Sequence, residues 1–284
     1  MSAVRFISSP STQIAKADLI EGMARGMAVL ESFDTQRQRL NATLAAQRAG
    51  MTRAAARRHL LTLAHLGYLE TDGAYFWLAP KVLRFSGSYL ATARLPRAVQ
   101  PTLNLLAAQT HESFSVAVRD GDEVVIIGRS GFEWKSPEGA QSGRAGPLRM
   151  LAYGLHLGAR LPAHATSTGR ALLAAEPRDA LGAWLKSRVE AGGGALPRLT
   201  LHTITDPRKL RAAITQARSD DYALVSEEHE LGVQALAVPL RDMQGRCLAA
   251  LNVVASPQRW PAEQMRKDLL PLLLDAARSL RPVL

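Results

Sequence analysis

Apolar positions near the start of the chain recur at helical spacing. Between Asp18 and Phe33 they fall at Ile20, Met23, Met27 and Leu30, which predicts a helix over that stretch. Asn41 stands where it can cap a second, short helix ending near Gly50. Thr52 can cap a third, from Arg53 to Leu66, stopped by Gly67. The period then shortens to two. Tyr68-Leu69-Glu70 and Tyr75-Phe76-Trp77-Leu78 flank Thr71-Asp72-Gly73-Ala74, a small hairpin turning on Asp-Gly and ended by Pro80. Three helices followed by a hairpin is the order of a winged helix-turn-helix.

Beyond Pro80 the pattern is mixed. Val82 to Ala93 reads as a helix, and Pro96 and Pro101 punctuate the residues after it, so a linker is expected over 81–101. A helix is expected around Leu103 to Gln109. Ser113 to Val118 and Val124 to Ile127 form a strand pair about Asp120-Gly121-Asp122. Ser130 to Pro147 is rich in Gly, Ser and Pro and reads as a long loop, as does Glu190 to Pro197. Helices are expected at Arg170 to Ala175, Pro207 to Asp220 and Pro261 to Leu280. Strands are expected at Leu236 to Arg241 and Cys247 to Val254. The fold class is therefore α+β. The segments are a lead-in over 1–17, a winged helix-turn-helix over 18–80, the linker over 81–101, and a domain of helices around an antiparallel sheet over 102–284.

The third helix carries the candidate chemistry. At ~100° per residue, Ala56, His59, Leu60, Leu63 and Leu66 share an arc that should face the core. Arg57 and Arg58 straddle the opposite arc, with Arg53 beside it, the small Ala54 between, and Thr52 at the cap. Small residues allow close approach to base edges, and arginine's planar fork suits guanine edges and phosphates. Leu61 also points outward on this wheel. Between Thr35 and Leu69 there are six arginines (37, 39, 48, 53, 57 and 58) and no Asp or Glu. A surface helix without a polyanionic partner normally mixes signs, so double-stranded DNA is the expected partner. Trp77 in the hairpin is expected to pack on its own domain.

Composition agrees. The 284 residues suffice for two cores, and the formal net charge is +10. A single cysteine, Cys247, excludes an internal disulfide and fits a reducing cytoplasm. It opens an apolar strand and reads as core. No apolar run approaches the ~18 residues of a membrane helix, and Met1 to Lys16 lacks a signal-peptide stretch and reads as disordered. The seven histidines show no metal-ligand spacing, and no cofactor is expected. His229, among Glu227, Glu228 and Glu230, reads as part of a charged exposed turn. Ser167 near His164 invites a hydrolase reading, but the surroundings are not G-x-S-x-G and no acid is placed to orient the histidine. An enzyme is therefore not expected.

These residues resemble a known family. Gly22-Met23-Ala24-Arg25-Gly26-Met27-Ala28-Val29-Leu30 looks like the first helix of IclR-type regulators. Arg53 to Leu63 with Leu66-Gly67-Tyr68-Leu69 resembles their recognition helix and the start of their wing. Leu161 to Ala174, containing Thr166-Ser167-Thr168-Gly169-Arg170, and Glu227 to Leu240 resemble their effector-domain signatures. Arg57-Arg58 and the Thr-Ser-x-Gly-Arg pattern look most like the branch controlling protocatechuate and 4-hydroxybenzoate breakdown. The chain departs from that branch at Ser130 to Pro147, which looks longer than usual. The resemblance implies a GAF-like C-terminal domain and dimers, often paired into tetramers. The positions that match the family's ligand contacts are Ser167, Thr168, Val225, Ala235, Asn252 and Val254.

Elementary chemistry fits such a site. Ser167, Thr168 and Gly169 open the helix Arg170 to Ala175, and free backbone N–H groups beside hydroxyls make a carboxylate site. Asn252 alternates with Leu251 and Val253, so it shares a side with Ala250 and Val254. One amide in an apolar wall suits a small organic acid, aromatic on the resemblance. Glyoxylate or a sugar acid suits it on chemistry alone. An architectural DNA-binding protein without a ligand is the alternative from another class, and simple helix capping by Ser167 or Thr168 is the alternative reading of the loop.

Overall fold

The computed structural model describes residues 14–34, 37–130 and 156–284. The lead-in expected over 1–17 lies outside the described residues up to 13, and the loop expected from Ser130 to Pro147 lies outside them beyond Ser130. The chain divides into two compact units, Met1–Ala91 and Thr92–Leu284.

In the first unit the caps behave as their chemistry dictates. Helix α1 spans Glu21–Leu30. Helix α2, Ala42–Arg48, starts where Asn41 Oδ1 accepts the N–H groups of Thr43 and Leu44. It ends at Gly50, whose φ of +62° glycine adopts without strain, and Met51 N–H closes back on Ala46 O. Helix α3, Arg53–His65, starts where Thr52 Oγ1 accepts from Ala55 N–H. Strands β1 (Leu69–Thr71) and β2 (Phe76–Leu78) form the hairpin, and Asp72 Oδ1 accepts from Ala74 and Tyr75 N–H in the turn. The core gathers Val29, Leu40, Ala45, Ala56, Leu60 and Phe76.

The expected face of α3 is corrected, and the packing of α1 selects its core side. In α1 the residues that face the core are Ala28 and Val29, while Ile20, Met23 and Met27 are exposed. The large side chains fit the periodicity, but α1 crosses α3 at its small positions: a Cβ on Gly26 would lie 3.7 Å from His59 Nδ1. In α3, Leu66 is exposed and His59 half-buried, because the helix ends at His65 and the chain turns away at Gly67.

The stretch 81–101 is helical nearly throughout. Helix α4 (Leu83–Thr92) follows a 3-10 turn at Pro80–Val82 and buries none of its residues. Helix α5 runs Arg94–Thr110, through both prolines. Pro96 lies in its first turn, where the missing N–H costs nothing. Pro101 forfeits one helical bond, a cost of ~3 kcal/mol. Burying Val99, Leu103 and Leu106, at ~1.5–3 kcal/mol each, outweighs it.

The second unit is built on a six-stranded antiparallel sheet: β3 (Ser113–Asp120), β4 (Glu123–Arg129), β5 (Arg160–Pro162), β6 (Ala223–Ser226), β7 (Gln234–Arg241) and β8 (Cys247–Ala255), in the order β5-β4-β3-β8-β7-β6. One face carries Phe114, Val116, Leu236, Val238, Leu251 and Val253 against α5 and the closing helix α9. Helix α9 runs as Ala262–Gln264, a π-helical turn at Met265–Leu269, and Leu270–Leu280. The other face is small-residue rich, with Ala117, Ala223, Ala237 and Ala250, and packs α6 (Ser167–Ala175), α7 (Arg178–Ala191) and α8 (Pro207–Asp220). Helix α7 is not visible in the sequence pattern, since its buried side is only Leu181 and Leu185 among charged residues. Asp206 caps α8, accepting from Arg208 and Lys209 N–H with Pro207 at the first helical position.

Candidate DNA-facing helix and effector site

Thr52, Arg53, Ala54, Arg57 and Arg58 are all exposed on one side of α3, and Ala56, Leu60 and Leu63 are buried on the other. The three arginines form no ion pair among the described residues. Two of the six arginines counted in this region are engaged elsewhere. Arg48 bonds Asp34 and donates from Nε to Ser32 O at 2.7 Å. Arg39 bonds Asp72 and lies over the Trp77 ring, 4.6 Å from its centroid. The acid-free stretch is thus partly neutralised by acids just outside it, and the exposed positive charge concentrates on α3. Trp77 packs on its own hairpin, with Nε1 donating to Glu70 Oε2 at 2.8 Å. Leu61 stays exposed on the arginine side, and nothing in the structure explains it.

In the second unit, α6 begins at Ser167, three residues before the expected start at Arg170. The cap is Thr166, whose Oγ1 accepts from Gly169 N–H at 3.2 Å and donates to Pro162 O. Ser167 and Thr168 are therefore first-turn residues, not caps, and their N–H groups are among those a helix leaves unused. Ser167 is 1% exposed, and its Oγ has no hydrogen-bond partner among the described residues. A buried hydroxyl without a partner costs free energy unless a ligand or water meets it. Burial, with the charge of Arg170 adding to it, holds His164 below the ordinary imidazole pKa, and its Nε2 sits 2.9 Å from Pro197 O.

Gly169 fixes the approach of α6 to the preceding turn. A Cβ there would lie 2.1 Å from Ala163 O and 2.4 Å from Ala163 Cα, both backbone atoms. Gly169→Ala should therefore reach the upper end of the ~1–3 kcal/mol typical of overpacking, read as a lowered denaturation midpoint. An unchanged midpoint would contradict this packing.

The sheet brings the remaining candidates to one face. The register aligns Val225 with Ala235, Ala235 with Val254, and Ala237 with Asn252. All lie on the side that packs α6. Ser115, opposite Asn252, was not visible as a site residue; the available signal was its spacing of two from Ala117.

The expected exposed turn at Glu227 to Glu230 is overturned. Glu228 is buried, and its Oε2 takes Arg170 Nη2 at 2.5 Å and Ile204 N–H at 3.1 Å. Thr203 and Thr200 donate to the carbonyls of Glu228 and Glu227, each at 2.6 Å. The pairing with a buried arginine 58 residues away explains why local sequence reads as surface. Burial pushes the Cys247 thiol up to about 11, far from a redox-active value. No His, Cys, Asp or Glu group among the described residues is arranged for a metal ion. None of the described helices is long and apolar enough to cross a membrane.

Residues 22–73 match the IclR helix-turn-helix domain, and residues 87–281 match the domain described as Bacterial transcriptional regulator IclR C-terminal. The chain is 48% identical over 271 residues to the Pca operon regulatory protein of Acinetobacter baylyi, spanning 95% of this chain and 91% of that protein. It is 45% identical to the p-hydroxybenzoate hydroxylase transcriptional activator of the same organism, spanning 95% of this chain and 94% of that protein. Among solved structures, a double mutant of the inducer-binding domain of the PobR transcription factor from Acinetobacter, in complex with 3-hydroxybenzoic acid, is 40% identical. That match has a TM-score of 0.57 and covers 66% of this chain and 98% of that one. With both domains matched in order, the chain belongs to the IclR family of bacterial transcriptional regulators.

Proposed function

We propose that this chain is a cytoplasmic transcriptional regulator, without enzymatic activity, that reads operator DNA through α3 and responds to an aromatic acid, a mono- or dihydroxybenzoate. The observation that carries the effector reading is the buried, unpartnered Ser167 hydroxyl at the start of α6, beside first-turn amides and across from the Asn252 face. The effector's carboxylate sits at Ser167 and Thr168, its ring against Val225, Ala235 and Val254, and its far substituent at Asn252. The preference for an aromatic body over glyoxylate or a sugar acid draws on the names of the two Acinetobacter relatives and the hydroxybenzoic acid in the related domain. The domains act as an N-terminal DNA-binding unit, a linking helix and a sensing unit. The protein works as a homodimer, or as a tetramer made of two such dimers. Leu83, Phe85 and Tyr89 stand exposed on α4, an apolar face that a second copy covers.

Calorimetry with 4-hydroxybenzoate, protocatechuate and glyoxylate tests the effector. One or both benzoates should bind, and glyoxylate should not. Binding of glyoxylate alone would refute the aromatic reading. The triple variant Ser167→Ala, Thr168→Ala, Asn252→Leu should bind the benzoate about a hundredfold more weakly, the loss of two or more hydrogen bonds. Undiminished binding by that variant would overturn the placement.

A further inference from the structure

Among the described residues, three buried side-chain nitrogens or oxygens lack a hydrogen-bond partner, and two of them share one turn of α6: Ser167 Oγ and Arg170 Nε. Residues three apart on a helix are neighbours on its surface, so the two groups stand side by side. The Arg170 side chain is 6% exposed and is drawn toward Glu228, whose Oε2 takes Nη2 at 2.5 Å. Glu228 stands two residues beyond the end of β6, the strand that carries Val225. A side chain reaching it from α6 therefore runs along the Val225 end of the effector site.

The second observation is a deficit of charge. A carboxylate at Ser167 and Thr168 meets hydroxyls and first-turn amides, and a helix start supplies only about half an elementary charge. Val225, Ala235 and Val254 add none, and Asn252 is neutral. Burying a full negative charge against so little is costly, and a fixed cation removes that cost. Arg170 is one turn from Ser167, and its planar fork keeps Nε free after Glu228 has taken Nη2.

We propose that Arg170 is an effector-binding residue, its Nε donating to the effector's carboxylate beside the Ser167 hydroxyl while Nη2 stays on Glu228. The inference rests on the effector placement proposed above and adds the cation that placement lacks. It also gives Glu228 two opposed effects. Its carboxylate holds the guanidinium in place, and it repels the incoming acid. The site thus selects an ionised acid over a neutral molecule of the same shape.

Calorimetry of the full chain with 4-hydroxybenzoate and 4-hydroxybenzamide tests this. The wild type should prefer the acid by about a hundredfold, the difference between a charge-assisted pair and a neutral amide. In Arg170→Met with Glu228→Leu, which buries no charge, the preference should fall to about tenfold or less, with a melting curve to show that the protein is folded. In Glu228→Gln the side-chain oxygen still accepts from Arg170 and the Ile204 N–H, but the negative charge is gone. That variant should bind the acid about tenfold more tightly, and the amide within about threefold of wild type. An ion pair that serves the fold alone would not move the acid in opposite directions. An undiminished preference in a folded double variant overturns the proposal, as does a wild type with no preference. So does Glu228→Gln that binds the acid no more tightly than wild type, and this arm decides alone if the double variant does not fold. If neither compound binds the wild type, or if the Ser167, Thr168 and Asn252 triple variant binds the acid undiminished, the effector placement fails and this inference falls with it.

Discussion

Glu228→Ala is expected to destabilise the second unit by about 3–5 kcal/mol, more than any other single side-chain truncation proposed for this chain. The side chains of Arg170 and Glu228 are 6% and 9% exposed, so water cannot take over when one partner goes. The variant leaves a guanidinium buried with no carboxylate, and it also strips the Ile204 amide of its acceptor. For a unit of this size the loss corresponds to a fall of roughly 6–20 °C in melting temperature. The pair is not therefore a large source of net stability. Replacing both members, Arg170→Met with Glu228→Leu, should recover most of the loss, because an apolar pair of similar volume carries no desolvation cost. Thermal denaturation of the two variants side by side decides it. A single variant within about 1 kcal/mol of wild type would mean that the pair is solvated in solution.

Arg58→Ala is expected to weaken operator binding by about 1–3 kcal/mol per half-site, the worth of one bidentate base contact. On a palindromic operator bound by a two-fold dimer the effect doubles. The expected loss runs from roughly thirtyfold to beyond ten-thousandfold at fixed salt. Stability should not change, since Arg58 is exposed and makes no ion pair among the described residues. Mobility-shift titration with an unaltered melting curve as control is the measurement. Unchanged affinity would remove Arg58 from the interface. Arg53 and Arg57 distinguish themselves by salt: a phosphate contact, once lost, makes the salt dependence shallower while leaving sequence preference intact.

The parts of this molecule that were legible in its sequence are those whose physics is local. Asn41 and Thr52 cap their helices with side-chain bonds two or three residues long, and the Asp72–Gly73 turn is closed by Asp72 itself. The alternation of Asn252 and Val254 with Leu251 and Val253 fixes their face without reference to the rest of the chain. The expectations that failed depended on distant partners. Pro101 reads as a helix breaker until the sheet beneath α5 rewards Val99, Leu103 and Leu106. Glu228 reads as solvated until Arg170 is found beside it. The spacing of the large residues of α1 gives a helix but not its core side, which the crossing with α3 sets at Ala28 and Val29. Ser115 offered only its spacing of two from Ala117, because a serine in a strand means little without knowing what stands opposite.

The central strand pair has a consequence for synthesis. Ser115 waits for Asn252, which lies 137 residues further along the chain. At about 5–20 residues per second that is a delay of about 7–27 s, during which the apolar side of β3, with Phe114 and Val116, has no neighbour on β8 to close its sheet. The first unit has no such wait: β1 and β2 pair across one turn, and its helices pack on close sequence neighbours. On the ribosome the arginine-bearing helix is therefore complete well before the domain that governs it. The growing chain passes through an interval in which it has a reader but no sensor.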